Sequence, residues 1–398
     1  AVMLQGHRLV EALWQRGSKQ GAPLSLISGW FHQRSALHNE GSFHNATMGL
    51  NYLALAEHSS GDEKAKYLSV AHQLASSLFL LNFDATTGGF RSRSNSGHWD
   101  HSEAAYAQIK WNPEHFHPNE ESRPAAHAMC IWFWSKLRDH SPEFEEQYRE
   151  MTHRFLELYV REGLWRSGTQ RTYSRSVDVA FGVLACLRMI QVHKLGDVPD
   201  RASLLLVVEE GREALLNRFG YGRPVKDWRS QVNLGDQPPS ELSPRLVWQE
   251  VWVGLALLET SPDPANDAVL QEFFTAFSDF ETKQGWMCNQ PWRDGNTKGM
   301  TRAFLGDNAL YLGLLGCGAQ LQVAQAAEMR QRFSPVFDDF LSRLWIPDGA
   351  DAGFLYNGFD PRNDKLDTFS HGIWSISETL LGLCSLRVGE FRQSSSSA

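Results

Sequence analysis

No stretch of this 398-residue sequence is apolar for long enough to cross a bilayer, so no membrane span is expected. Basic charge is in deficit: 38 Lys and Arg stand against 46 Asp and Glu, for a net charge of −8. No basic stripe of the kind that grips a phosphate backbone is present, which excludes nucleic acid as a partner class. Cysteine is sparse and odd in number. Four of the five (Cys130, Cys186, Cys288, Cys317 and Cys384) lie in apolar helical stretches, where a thiol packs as a small hydrophobe. No G-x-S-x-G, P-loop or dinucleotide fingerprint occurs, so neither a serine nucleophile nor a phosphate-bearing cofactor has support, and no cofactor is expected. Metal spacing is equally thin. The loop His98-Trp-Asp-His-Ser-Glu103 crowds four titratable groups, but no other segment offers HxxxH or CxxC spacing, and no metal is expected.

The N-terminus, AVMLQGHRLVEALW, lacks the basic-then-apolar order of a signal peptide and does not begin with Met, which leaves room for a leader removed upstream. Compartment stays open, with the cytoplasm favoured over export. One sequon, Asn45-Ala-Thr47, falls at an expected helix start. No Pro- or Ser-rich linker interrupts the chain, so 1–388 is expected to form one domain, with a disordered tail over 389–398.

Aromatics, by contrast, are plentiful, with 14 Trp and 23 Phe, and some of them recur. Glycine followed closely by an aromatic occurs at Gly29-Trp30, Gly89-Phe90, Gly163-Leu164-Trp165, Gly220-Tyr221, Gly285-Trp286 and Gly353-Phe354, at spacings of 57 to 74 residues. Between these turns two kinds of helix alternate. Small-residue helices that are apolar nearly all round are expected to begin near His44, Ser122, Tyr173, Ser243, Thr301 and Ser370. Helices with a charged face are expected over about 2–15, 62–82, 141–160, 199–218, 264–281 and 324–344. A helix apolar all round is buried, and one with a charged face lies at the surface. Six of each in alternation, repeating one supersecondary unit, imply an all-α (α/α)6 toroid with an inner ring of six parallel buried helices. Their N-termini then meet at one mouth, which favours anionic or hydroxyl-rich ligands.

Candidates for chemistry follow from that topology. Asp307, Glu250 and Asp178 are acids set among apolar neighbours near inner-helix starts, where a carboxylate needs a partner or a raised pKa. Glu378 is the deepest acid and reads as a buried hydrogen-bonding group. His371 opens the last inner helix, whereas His127 and His44 read more simply as packed histidines.

The alternation and its Gly-aromatic turns resemble the six-hairpin glycosidase superfamily over essentially the whole chain. That architecture is shared by family 76 endo-mannanases, unsaturated glucuronyl hydrolases, N-acylglucosamine 2-epimerases and some polysaccharide lyases. LGDNALYLGLL is similar to the Asp-Asn-Ala helix start of several of the hydrolases, with Asp307 as the matching acid. The adjacent Asp pair that family 76 carries at the mouth has no counterpart there. Phe369-Ser370-His371 is similar to the epimerase segment bearing one catalytic His, while the position of their second His falls at Trp248 or Glu250.

The resemblance implies a carbohydrate-active enzyme on a small-molecule sugar or oligosaccharide. Hydrolysis of a glycosidic bond needs two carboxyls, assigned to Asp307 and Glu250 with Asp178 in reserve. Arg175, Arg302 and His371 are then expected to bind substrate, Trp248, Trp374 and Tyr311 to stack on sugar rings, and His127, Trp99 and Asp100 to line the site. The alternatives are a sugar epimerase or isomerase using His371, a lyase or cyclase on a less polar molecule, and a non-catalytic binding toroid. Two titratable groups converging in the funnel separate the enzymes from the last of these.

Overall fold

The computed structural model describes residues 40–91, 93–96, 116–117, 121–194, 196–234, 245–292, 302–346, 348, 355–367 and 373–386. Its helices in chain order are α1 (Ser42–Glu57), α2 (Gly61–Asn82), α3 (Pro124–His140), α4 (Glu145–His153), α5 (Phe155–Tyr159), α6 (Ser176–Val192), α7 (Arg201–Glu213), α8 (Val247–Thr260), α9 (Ala268–Thr275), α10 (Leu305–Gln320), α11 (Ala324–Leu344) and α12 (Ile373–Leu380). The protein is an all-α toroid. α1, α3, α6, α8, α10 and α12 each pack on the next, and α12 returns to α1, closing the inner ring. α2, α4 with α5, α7, α9 and α11 form the described outer layer, each hairpinned to the inner helix before it. The helix expected over 2–15 and the tail over 389–398 lie outside the described residues.

Burial separates the two layers as the apolar patterning predicts. α6 is buried continuously from Ser176 to Ile190. α11 buries only Ala326, Met329, Phe333, Phe337, Phe340 and Leu344, a stripe at helical spacing with a charged back. Each of those aromatic side chains contributes roughly 1.5–3 kcal/mol by leaving water. Several boundaries differ from the sequence reading, two of them for a visible reason. The outer helix expected over 141–160 is broken at Arg154 into α4 and α5. The helix expected from Thr301 begins at Leu305, because Ala303–Phe304 first pairs as a short strand with Gly358–Asp360.

The described Gly-aromatic turns join outer helices to the loops at the mouth, while Gly29-Trp30 and Gly353-Phe354 lie outside the described residues. Phe83–Asp84 pairs with Gly89–Phe90, Val160–Arg161 with Leu164–Trp165, and Glu281 bridges to Met287. At Gly163, Gly220 and Gly285 the backbone is left-handed, with φ of 71°, 86° and 86°. In the earlier turn that role falls to Gly88 instead of Gly89. The aromatic of each turn, Phe90, Trp165, Tyr221 or Trp286, is buried between the layers. Small residues on the inner helices make room for this. A Cβ on Gly182 of α6 would lie 2.1 Å from the Trp165 ring.

α10 also packs backbone to backbone on the turn of π-helix, Leu381–Ser385, that follows α12. A Cβ on Gly313 would sit 2.5 Å from the Gly382 carbonyl oxygen, and one on Gly382 would sit 2.3 Å from that of Ala309. Gly313→Ala is therefore expected to cost about 1–3 kcal/mol in overpacking. Gly316→Ala, in the same helix with nothing within 4 Å of the added carbon, is expected to be neutral or to gain up to about 1 kcal/mol from helix propensity. Urea midpoints of the two variants measured side by side check both.

Candidate active site

The inner-helix starts are held by backbone from the loops around them. None of the residues just before α1, α3, α6, α8 or α10 (Gly41, Arg123, Arg175, Leu246 and Phe304) caps its helix with a side-chain hydrogen bond. Instead the first N–H of α6 donates to the Ser230 carbonyl at 3.0 Å, that of α8 to Asn289 at 3.1 Å, and that of α10 to Asn357 at 2.8 Å. Each acceptor lies in the loop that follows the next outer helix, so consecutive hairpins are tied together at the mouth. Short antiparallel ladders reinforce this, Tyr173–Arg175 with Gln231–Asn233 and Ala303–Phe304 with Gly358–Asp360.

Asp178, in the first turn of α6, is saturated. It accepts from Ser167 Oγ at 2.5 Å and from Arg175 Nε and Nη2 at 2.8 and 3.1 Å. Its charge in turn raises the pKa of Arg175. The reserve catalytic acid and an expected substrate-binding Arg are thus occupied with each other.

Glu250, in the first turn of α8, is half engaged. Its Oε1 accepts from Arg245 Nε at 3.0 Å and from the Tyr221 hydroxyl at 3.3 Å, while buried Oε2 has no partner among the described residues. Burial raises its pKa against the pull of Arg245 and Tyr221. Arg245 lies over the rings of Trp228 and Phe280, at 4.8 and 5.2 Å, and reaches Asp279 at 3.2 Å.

Asp307, the third residue of α10, is different in kind. Its Oδ2 is buried without a partner among the described residues, and burial pushes its pKa up to about 7. Beside it Asn308 is fully used, accepting from Met287 N–H at 2.8 Å and donating to the carbonyls of Met287 and Phe304 at 2.9 and 2.7 Å. That amide locks the Gly285-Trp286 turn onto the helix start and fixes the backbone that presents Asp307. Arg302 precedes the helix and pairs with Asp360 at 2.9 Å. Asp360 is also gripped twice by Arg362, which holds its carboxyl down to about 2.

Glu378 on α12 is buried, and burial first, then the negative charge of Asp307, push its pKa well above the carboxylate range. The sequence reads this acid as a buried hydrogen-bonding group from its depth in the helix; its register against α10 is set only in the fold. His44, on the first turn of α1, was likewise discounted. Its Nδ1 is buried without a partner among the described residues, and burial lowers its pKa to about 4.

Two expected contacts are corrected. His127 is wholly buried between layers, bonded through Nδ1 to the Tyr159 hydroxyl at 3.2 Å and through Nε2 to the Met151 carbonyl at 2.8 Å. Burial drives its pKa down to about 3, so it is a neutral core histidine. Tyr311 faces the outer layer, its ring 4.6 Å from Phe277 and 5.0 Å from Phe333, with its hydroxyl on Met329 Sδ. It is core, and no sugar can stack on it. Trp248 is half-buried on α8. His371, Trp99, Asp100, the His98–Glu103 loop and the Trp374 side chain lie outside the described residues. Among the described residues no three His, Cys, Asp or Glu come together as metal ligands.

Aromatic rings meet across the bore. Phe43 of α1 lies 5.4 Å from Phe181 of α6 and 6.2 Å from Trp252 of α8, and the last two rings are 4.7 Å apart. α1 neighbours neither α6 nor α8 in the ring, so these contacts span its centre.

The ring, its mouth and its aromatic floor can be set beside solved structures. D-mannose isomerase superposes with a TM-score of 0.69 at 11% identity, covering 96% of each chain. Cellobiose 2-epimerase from Bacillus thermoamylovorans gives 0.64 at 10%, over 96% of this chain and 98% of that one. A heparin-specific unsaturated glucuronyl hydrolase gives 0.60 at 10%, over 96% and 95%. This chain shares their (α/α)6 toroid fold of six helical hairpins. A family 76 glycoside hydrolase from a bovine Bacteroides thetaiotaomicron strain shares it too, at 0.62 and 8% identity over 96% of this chain and 76% of that one. No family model and no curated protein matches the sequence.

The six-hairpin frame buries its acids at a measurable cost. Asp307 binds its proton more tightly folded than unfolded, so stability falls as pH rises from its unfolded value near 4 to about 7, then levels. At about 1.4 kcal/mol per pKa unit the penalty reaches roughly 4 kcal/mol. Asp307→Asn is expected to match wild type at pH 4 and to exceed it by up to that amount at pH 8, read from urea unfolding at both. Arg245→Gln is expected to cost about 3–5 kcal/mol by leaving Glu250 buried without its cation. Adding Glu250→Gln should recover most of that loss, which thermal unfolding of the single and double variants checks.

Proposed function

We propose that this chain hydrolyses a glycosidic bond of a carbohydrate held at the mouth of the toroid, with Asp307 as an acid–base group. The observation that carries this reading is the buried Asp307 carboxyl on an inner-helix start, unpartnered at Oδ2 and titrating near 7. A group with that pKa exchanges protons in either direction at neutral pH, which acid–base catalysis requires. A carboxyl kept only for structure is instead expected to be saturated, as Asp178 is by Arg175 and Ser167. Structural likeness to the glucuronyl hydrolase and the family 76 glycoside hydrolase supports a sugar substrate.

Hydrolysis takes a second carboxyl. Glu250 is the more constrained candidate, because Arg245 and Tyr221 both hold its Oε1. Arg175 and Arg302 reach substrate only at the edge of their ion pairs, leaving half-buried Trp248 as the described aromatic for a sugar face.

A second reading, epimerisation or isomerisation of a free sugar by His371, draws support from the likeness to D-mannose isomerase and cellobiose 2-epimerase. One experiment separates the two. Wild type and Asp307→Asn are incubated with a panel of glycosides and free sugars in D2O. Hydrolysis releases new reducing ends, whereas epimerisation exchanges carbon-bound hydrogen for deuterium without releasing any. Asp307→Asn is expected to lose about 10²–10⁴-fold in the hydrolytic rate. Undiminished turnover by a folded Asp307→Asn protein removes the assignment.

A further inference from the structure

We propose that Glu378 is the second carboxyl of the site, the proton donor that works with Asp307 across the α10–α12 contact. This rests on the hydrolytic reading and names the partner it needs. The geometry comes from helix register. Gly382 lies against Ala309 and Gly313, so it is level with the middle of that turn of α10. Glu378 is four residues before Gly382, and Asp307 is four residues before Tyr311. In two parallel helices one turn back from a shared level is again a shared level. The two carboxyls therefore lie at the same height on adjacent inner helices.

No hydrogen bond between the two carboxyls contributes to either shift. They are near enough for the charge on Asp307 to act on Glu378. Burial raises both carboxyls, and the negative charge of Asp307 raises Glu378 further, so the pair is ordered with the proton favoured on Glu378 when Asp307 is ionised. One acid with a proton beside one able to accept a proton is the division of labour that two-carboxylate hydrolysis uses.

The surrounding charges leave this order intact. On α1, which also packs against α12, His44 is held neutral by burial. Cys288 near Asp307 is a protonated thiol, pushed up to about 11 chiefly by burial. Asp360 is neutralised between Arg302 and Arg362.

In the step that follows, Glu378 gives its proton to the glycosidic oxygen as the bond from the anomeric carbon to that oxygen breaks. Ionised Asp307 takes a proton from the water whose oxygen bonds to that carbon. One water is consumed, and proton exchange with solvent restores both carboxyls.

The test compares Glu378→Gln with Glu250→Gln on two glycosides of the same sugar, one with an alkyl and one with a dinitrophenyl leaving group. Urea midpoints first establish that both variants fold. Glu378→Gln is expected to lose about 10²–10⁴-fold on the alkyl glycoside and little on the dinitrophenyl one, which needs no proton to leave. Equal losses on the two, or none on either, overturn the proposal. A second arm needs no turnover. Infrared spectra of the protein with ¹³C-labelled Glu should show a protonated glutamic acid band at pH 8 that vanishes in Glu378→Gln and titrates at lower pH in Asp307→Asn. A band indifferent to Asp307→Asn overturns the pairing. If no glycoside is hydrolysed, the functional reading fails by itself and the infrared arm still decides the pair.

Discussion

What the rest of this structure depends on is the backbone satisfaction of the inner-helix starts. A helix leaves its first N–H groups unpaired, and here several such starts converge on one face of a ring. Side-chain caps serve two helices of the outer layer, where Asp200 and Asp267 accept from the first turns of α7 and α9. At the mouth the first N–H groups of α6, α8 and α10 go instead to carbonyls of neighbouring loops. This stitches each hairpin to the next and leaves the side chains of the first inner turns free for other work. Asp178, Glu250, Asp307 and His44 all occupy those turns.

These four equivalent places are treated differently, and the differences are chemical. Asp178 is bound by a guanidinium and a hydroxyl, and Glu250 is half bound. Asp307 has only its burial, although it stands beside an asparagine whose every amide contact is taken up in holding it in place. Rigid backbone under an unsatisfied acid is the arrangement expected of a preorganised acid–base group.

The fold was legible in the sequence because its cause is periodic. Helices apolar all round alternate with helices that have one charged face, and the turns between them carry a glycine and an aromatic at near-regular intervals. The site was legible only in part. Asp307 stood out as an acid among leucines and alanines on a small-residue helix. Glu378 did not, since its closeness to Asp307 depends on how deeply α12 sinks against α10, a register set by contact between Gly382 and the α10 backbone. His127 and Tyr311 misled for a related reason. Residue type and position along a helix do not tell which layer a side chain faces, and both point outward into the seam between rings. Arg302 was found as a cation near the mouth, but Asp360, which engages it, arrives by a pairing that only the folded loops create, whereas Arg175 meets Asp178 three residues on at the same helix start.

The aromatic trio of Phe43, Phe181 and Trp252 carries a last implication. Because rings from opposite walls touch at the centre, the toroid is a cup and not a tube. A polymer cannot be threaded through it, and whatever enters must back out the way it came. A molecule leaving and a molecule arriving then contend for a single doorway, so the loops around that rim govern traffic in both directions.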